Sequence, residues 1–340
     1  MTRWLEAAGA DLSRVTLRSL GGGEWCAVAR KRIRAGERVL AIPRSCMATG
    51  DSVSLVQFVR NERANPISKW SPFLDALPKR FPHHPQLFER RDLAWLDGSY
   101  VADEVRAHER PALEYLTVIS RSFQIDADGG TTSALIPFAD MLHHGDPSET
   151  TWGMHDEDFV MTALRSFKPG DAIHDNYGNK SNSELLFTYG FCDPRNRRDE
   201  ARVSLGGHRF AVMNDLQDDR TSELFAFARK IHLEEPRNTL APVSLENEAM
   251  AIDALAFVAR EALARFSTTL ADDAKLLDRR LTTNARNAVL ARMSEKRALT
   301  WLIDFAAQTL PRLRVDRATF LNGPLDPYLT SVAVGISRAR

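Results

Sequence analysis

Cysteine is scarce. The 340-residue chain has three, Cys26, Cys46 and Cys192, far apart and without any Cys-x-x-Cys pair. That excludes a cysteine-rich zinc module and supports no disulfide framework. Net charge is missing as well: 45 Lys plus Arg balance 45 Asp plus Glu. No overall field draws the chain to nucleic acid or to an anionic membrane, so neither is expected as a partner. The Arg195, Arg197, Arg198 group reads as a local patch for an acidic surface or as a solvated loop. Long apolar runs are absent too, and the longest, Ala254 to Ala259, is far too short to span a bilayer. The opening Met-Thr-Arg-Trp-Leu-Glu carries charge where a secretory signal needs an apolar core, and a reducing cytoplasm is expected. The sequence has no internal repeat, no low-complexity tract and no Gly-x-Ser-x-Gly nucleophile elbow.

What is present is ordinary for a folded protein: 44% hydrophobic and 26% charged residues, enough to build a sizeable core. Residues 15–48 read as short strands. Val39-Leu40-Ala41-Ile42 is a buried strand stopped by Pro43, and Ala35-Gly36-Glu37 a tight turn. Residues 53–120 change to helical spacing, in Val53, Leu55, Val56 and Val59 and again in Leu113, Leu116 and Ile119. Strands return at Ala134–Pro137 and Asp158–Thr162, and Lys168-Pro169-Gly170-Asp171 has the residues of a type II turn. Ser183 to Tyr189 reads as one short helix, and from about 217 the pattern is helical nearly to the end. The predicted class is α+β, divided as 1–52, a helical insertion 53–118, 119–204, and a helical domain 205–340.

Unusual residues concentrate between 121 and 191. They include Arg121 and Phe123, then Asp140-Met141-Leu142-His143-His144, then Asn176-Tyr177-Gly178-Asn179-Lys180-Ser181-Asn182-Ser183-Glu184 and Tyr189-Gly190-Phe191. The two Tyr-Gly pairs bring their phenols near each other only if the chain folds back. Polar residues beside apolar strands point to a pocket. His143-His144, with Asp140, Asp146, His155 and Asp156 nearby, admits a metal reading, but adjacent histidines lack the i, i+4 geometry of a helical zinc pair. Histidines satisfied by backbone hydrogen bonds are the other reading.

Asp140-x-x-His143-His144 resembles the Asp-x-x-Asn-His motif of the Rubisco large-subunit lysine methyltransferase type of SET-domain proteins, with His for Asn. Tyr177-Gly178-x-Lys180-Ser181-Asn182-Ser183-Glu184-Leu185 followed by Tyr189-Gly190-Phe191 resembles that family's C-terminal SET motif. Ile33-Arg34-Ala35-Gly36-Glu37 with Pro43 is similar to its first strands, and Ser68-x-Trp70-x-Pro72-Phe73-Leu74-x-x-Leu77-Pro78 to its helical insertion. The likeness runs from about 20 to 200. It implies a SET β-fold, S-adenosylmethionine as methyl donor, no metal, and a C-terminal helical domain that presents a protein substrate. No oligomeric state follows.

By the same resemblance Gly23, Glu24, Trp25, Arg121, Asp140, His143, His144, Tyr177 and Phe191 contact the cofactor. Tyr177 and Tyr189 line the catalytic channel, and Phe123 and Tyr189 face the target side chain. An arginine fork suits the cofactor carboxylate, and aromatic walls bind a lysine stem while tolerating a cation. Phe123 sits where lysine-directed members carry an aromatic residue and histidine-directed ones a polar residue, so lysine is the expected acceptor. Two departures keep other readings open. Glu24-Trp25-Cys26 replaces the family's Gly-x-Gly, and His143 replaces an asparagine that the resemblance places against the cofactor. A SET-like binding module that has lost catalysis and a histidine-directed methyltransferase are the alternatives.

Overall fold

In a computed structural model, which describes residues 1–21, 24–127, 129–233 and 238–338, the chain packs as two units. The first comprises Met1–Pro82 and Arg110–Asn179, the second His83–Glu109 and Lys180–Arg340. The division falls between the Tyr177-Gly178-Asn179 stretch and the helix that follows it.

The first unit is built from short strands: β1 (Val15–Gly21), β2 (Glu24–Ala29), β3 (Arg38–Pro43), β4 (Ala48–Gly50), β5 (Ser122–Ala127), β6 (Gly130–Leu135), β7 (His143–His144), β8 (Thr150–His155), β9 (Asp158–Ala163) and β10 (His174–Asp175). They form the sheets β1-β2, β3-β9-β8, β4-β6-β5 and β7-β10, of which only β7-β10 is parallel. Val39, Leu40 and Ile42 are buried in β3 opposite Phe159 and Met161 of β9, as their continuous apolar run requires. Gly170 takes φ 89° at the third position of its turn, and Asp171 donates its N–H to the Lys168 carbonyl, closing the type II geometry read from Pro-Gly.

The helical insertion follows its spacing with one exception. Asp51 caps helix Ser52–Ala64 by accepting from the Ser54 N–H, and Leu55 and Val59 are buried among Trp70, Phe73, Leu74 and Leu77. Val53, in the first turn, stays 78% exposed, so it does not belong to the buried face.

In the second unit helices Asp219–Lys230, Leu245–Ala264 and Thr283–Leu313 share a core of Leu224, Ile252, Leu255, Leu299 and Leu302. Leu224, Ala228, Ile252, Leu255 and Ala259 are buried and Leu263 and Phe266 pack partly against them, whereas Ile231 is exposed at the end of its helix. A hairpin, β11 (Glu200–Leu205) and β12 (His208–Met213), precedes these helices. Its turn is Gly206-Gly207, both at positive φ, as a two-residue I′-type connection needs. The 205–340 segment is therefore not helical from its start.

The short helix runs Asn182–Tyr189 and begins with a capping box: Ser181 Oγ accepts from the Glu184 N–H, and the Glu184 carboxylate accepts from the Ser181 N–H. It ends on Gly190 in the left-handed conformation, φ 82°.

Candidate functional site

The site in the first unit grows from one strained turn. After β6 the chain passes Phe138, a fully buried aromatic residue at φ 76°, into a single 3-10 turn, Ala139–Met141. Positive φ at a bulky residue costs on the order of 1–3 kcal/mol and persists only where the surroundings enforce it. The turn delivers Asp140 to the interior and sends the chain directly into β7.

Asp140 has no exposed side-chain surface and meets Arg121, at the end of helix Leu113–Arg121. The Arg121 Nη1 donates to the Asp140 backbone carbonyl (2.9 Å) and to Oδ2 (3.0 Å). Burial pushes the Asp140 carboxyl above the ordinary carboxylate range, and the Arg121 charge and hydrogen bond oppose the shift. Arg121 Nε and Asp140 Oδ1 are buried and, among the described residues, have no hydrogen-bond partner.

The parallel β7-β10 ladder sets His143 beside His174 and His144 beside Asp175. Tyr177 follows two residues later and closes the arrangement twice. Its phenol donates to the Leu142 carbonyl (2.8 Å) and its backbone N–H donates to His144 Nδ1 (3.2 Å), so Nδ1 must be unprotonated. The His144 and Tyr177 rings lie 5.3 Å apart, tilted by 46°.

His143 is exposed, yet partial withdrawal from water pushes its imidazole pKa below the usual value. A hydrogen bond to the Trp25 backbone and the charge of Glu24 act the other way. Glu24-Trp25-Cys26 starts β2, paired with Gly21, Ser19 and Arg18 across a register shift between Ser19 and Gly21, and Trp25 keeps 40% of its surface open. The turn that holds Asp140 also packs against β2. Glu24, Trp25, Arg121, Asp140, His143, His144 and Tyr177 thus share one neighbourhood. Gly23 lies outside the described residues.

Phe123 is part of an aromatic cluster on the main core, edge-on to Trp152 (5.4 Å) and Phe159 (5.2 Å). Tyr189 and Phe191 belong to the second unit, flanking Gly190, with ring centroids 6.1 Å apart. Among the described residues no group of three or more His, Cys, Asp and Glu is arranged to hold a metal ion, and no helix is long and apolar enough to cross a membrane.

Sequence reasoning passed over the layer behind His143 and His144. Glu149 accepts from the His174 backbone N–H, lies 2.9 Å from His174 Nδ1 and pairs with Arg165. Thr150 Oγ1 donates to Asp175, whose carboxyl burial pushes up to about 6. The one available signal was the placement of Asp175 directly before Asn176-Tyr177.

Comparison with known proteins bears on the fold. Residues 205–299 match the family model for the Rubisco LSMT substrate-binding domain. A solved structure of the SET domain of LSMT bound to lysine and AdoHcy superposes with a TM-score of 0.74 at 18% identity, covering 92% of this chain and 91% of the other. The structure of Rubisco LSMT bound to AdoMet gives a TM-score of 0.72 at 20% identity, covering 92% of each. Among curated proteins, an actin-histidine N-methyltransferase of Gallus gallus is 24% identical over 90% of this chain and 68% of its own length. One of Danio rerio is 26% identical over 80% of this chain and 61% of its own. The chain therefore has the SET-domain methyltransferase fold seen in the Rubisco LSMT structures, with C-terminal helices. Both curated relatives carry the name actin-histidine N-methyltransferase, whereas the two solved structures are of a lysine-bound and an AdoMet-bound Rubisco LSMT.

Proposed function

We propose that the chain is an S-adenosylmethionine-dependent protein N-methyltransferase whose acceptor is a histidine side chain. The observation that carries the reading is the neighbourhood built by the Asp140 turn and the β7-β10 ladder, which gathers Glu24, Trp25, Arg121, Asp140, His143, His144 and Tyr177 within a SET fold. The histidine-directed relatives supply the acceptor.

The residues fit the cofactor in kind. Its amino-acid end carries an ammonium and a carboxylate, and Asp140 Oδ1 and Arg121 Nε are a buried acceptor and donor still unpaired among the described residues. Exposed Trp25 offers an aromatic face to a purine or a sulfonium. When bound, S-adenosylmethionine supplies a methyl group already activated on sulfur. The chain's own work is to align donor and acceptor and to exclude water.

With the cofactor bound, a neutral imidazole nitrogen of the target would be the group that accepts the methyl, with S-adenosylhomocysteine as the leaving group. The methylated ring then loses its N–H proton to water. Imidazole, with an ordinary pKa near ~6.5, is mostly neutral at cellular pH, whereas an amine near ~10.4 must first be stripped of its proton. A histidine acceptor therefore needs less help from burial. Tyr177 keeps the strand into His143 in place through Leu142, and the resemblance gives its phenol, with Tyr189, the task of orienting the acceptor.

Lysine is the second reading, and Phe123 favours it. Set against Trp152 and Phe159, it is an apolar wall suited to a methylene stem rather than to an imidazole. The protein substrate is read as being presented by the C-terminal unit, following the family model over 205–299.

Titration calorimetry with S-adenosylmethionine and S-adenosylhomocysteine tests the reading. Saturable heat from both, lost in Arg121→Met, is expected. Silence from both would leave a SET-like binding module without catalysis.

A further inference from the structure

The second unit contains a polar grip that the site above does not use. The long helix Thr283–Leu313 presents Asn287, Ala291 and Glu295 at a spacing of four, so they lie along one face. That face touches both ends of helix Asn182–Tyr189. At the near end Ser183 Oγ donates to Glu295 Oε1 (3.1 Å) and approaches the Ala291 carbonyl (3.4 Å). At the far end Asn287 Nδ2 donates to the Gly190 carbonyl (3.3 Å), and the Cys192 thiol donates to the Asn287 carbonyl (3.2 Å).

Gly190 is confined from its other side as well. A Cβ there would stand 3.1 Å from the His83 carbonyl carbon and oxygen, and the backbone is left-handed. These contacts hold the backbone that Tyr189 and Phe191 flank. Asn287 is buried, so water does not compete for its amide.

We propose that Asn287 is a positioning residue that fixes the Tyr189-Gly190-Phe191 segment, and through it the acceptor-side phenol of Tyr189. The proposal rests on the functional reading above, in which Tyr189 orients the acceptor. It assigns Asn287 no contact with substrate or cofactor. Its amide holds one carbonyl, that of the residue between Tyr189 and Phe191 in the chain.

The test uses the full chain with fluorotyrosine in place of its five tyrosines. The Tyr189 fluorine resonance is assigned by its loss in Tyr189→Phe. Asn287→Asp keeps the size but turns an acceptor toward the Gly190 carbonyl, and Asn287→Ala removes the group while keeping a good helix former. The two together guard against one failing to fold. In both, the Tyr189 resonance is expected to shift or broaden while those of Tyr115 and Tyr328 stay. Turnover is expected to fall about ten- to a hundredfold, with cofactor affinity unchanged within about twofold.

An unmoved Tyr189 resonance in folded Asn287 variants would overturn the proposal, as would equal losses in turnover and cofactor affinity. If the resonance moves but wild-type protein transfers no methyl group, the positioning stands and the functional reading falls.

Discussion

Arg121→Met removes the only counter-charge that the described structure gives to Asp140, a carboxylate with no exposed side-chain surface. Breaking a buried ion pair from one side typically costs about 3–5 kcal/mol, because the remaining charge is left uncompensated. Arg121 retains 19% exposure, so solvent already screens part of the pair and the lower end, about 3 kcal/mol, is expected at pH 7.5. For a unit of this size that is a fall of roughly 6–12 °C in melting temperature. The sign of the pH dependence follows from burial, which pushes the Asp140 carboxyl up and which Arg121 opposes. Without Arg121 the folded-state pKa rises further above the unfolded value. The penalty is then full above the folded pKa and vanishes below the unfolded one. The variant's deficit should therefore shrink between pH 7.5 and pH 5 as Asp140 takes up a proton. Adding Asp140→Asn should recover stability, since the stranded charge is gone. The assay is urea unfolding of wild type, both single variants and the double variant at the two pH values. An equal deficit at both pH values, or a double variant no more stable than Arg121→Met, would refute the argument.

Tyr177→Phe should cost about 0.5–1.5 kcal/mol of stability through the lost bond to Leu142 and lower kcat much more than cofactor affinity, measured by melting, calorimetry and initial rates. Phe123→Asn should lower stability by about 2–4 kcal/mol, because an amide replaces a ring packed on Trp152 and Phe159, and should raise the ratio of histidine to lysine methylation on paired peptides. Burial pushes Glu295 up to about 8 and Glu200 up to about 7, so in the folded state both hold protons that the unfolded chain releases above about 4.5. Stability should then fall as pH rises from about 4.5 to about 8 and level off above that, by at most about 1.4 kcal/mol per pH unit per group. Glu295→Gln should flatten that slope in melting curves taken across the range.

The fold was legible where a local pattern had one solution. Val39-Leu40-Ala41-Ile42 is too apolar to be other than a buried strand, and Lys168-Pro169-Gly170-Asp171 dictates its turn. Ser181-x-x-Glu184 announces a capping box that moves the helix start to Asn182, and Gly206-Gly207 between alternating apolar residues announces the β11-β12 hairpin. The helical periodicity beyond 217 masks only the second of these signals. Much of the candidate site was legible as a cluster: Arg121, Asp140, His143, His144 and Tyr177 come together as their motifs imply. Their pairing was not. No local rule states that Arg121 meets Asp140 across nineteen positions, or that Tyr177 returns to Leu142 across thirty-five. Those contacts depend on the strained turn at Phe138 and on a two-residue parallel ladder, and neither has a propensity signature. Phe123 was legible as apolar but not as the partner of Trp152 and Phe159. The positioning role of Asn287 was out of reach, because it depends on which face of a long helix meets a distant glycine.

Transfer of an isotopically labelled methyl group from S-adenosylmethionine to proteins of the native host tests the central claim most directly. Labelled proteins are hydrolysed to amino acids, and the methylated residue is identified by mass. Wild-type protein is expected to deposit label as methylhistidine, with Tyr177→Phe depositing far less. Label confined to methyllysine would move the acceptor to the second reading. No label above that of the heat-inactivated protein would contradict the enzyme account itself.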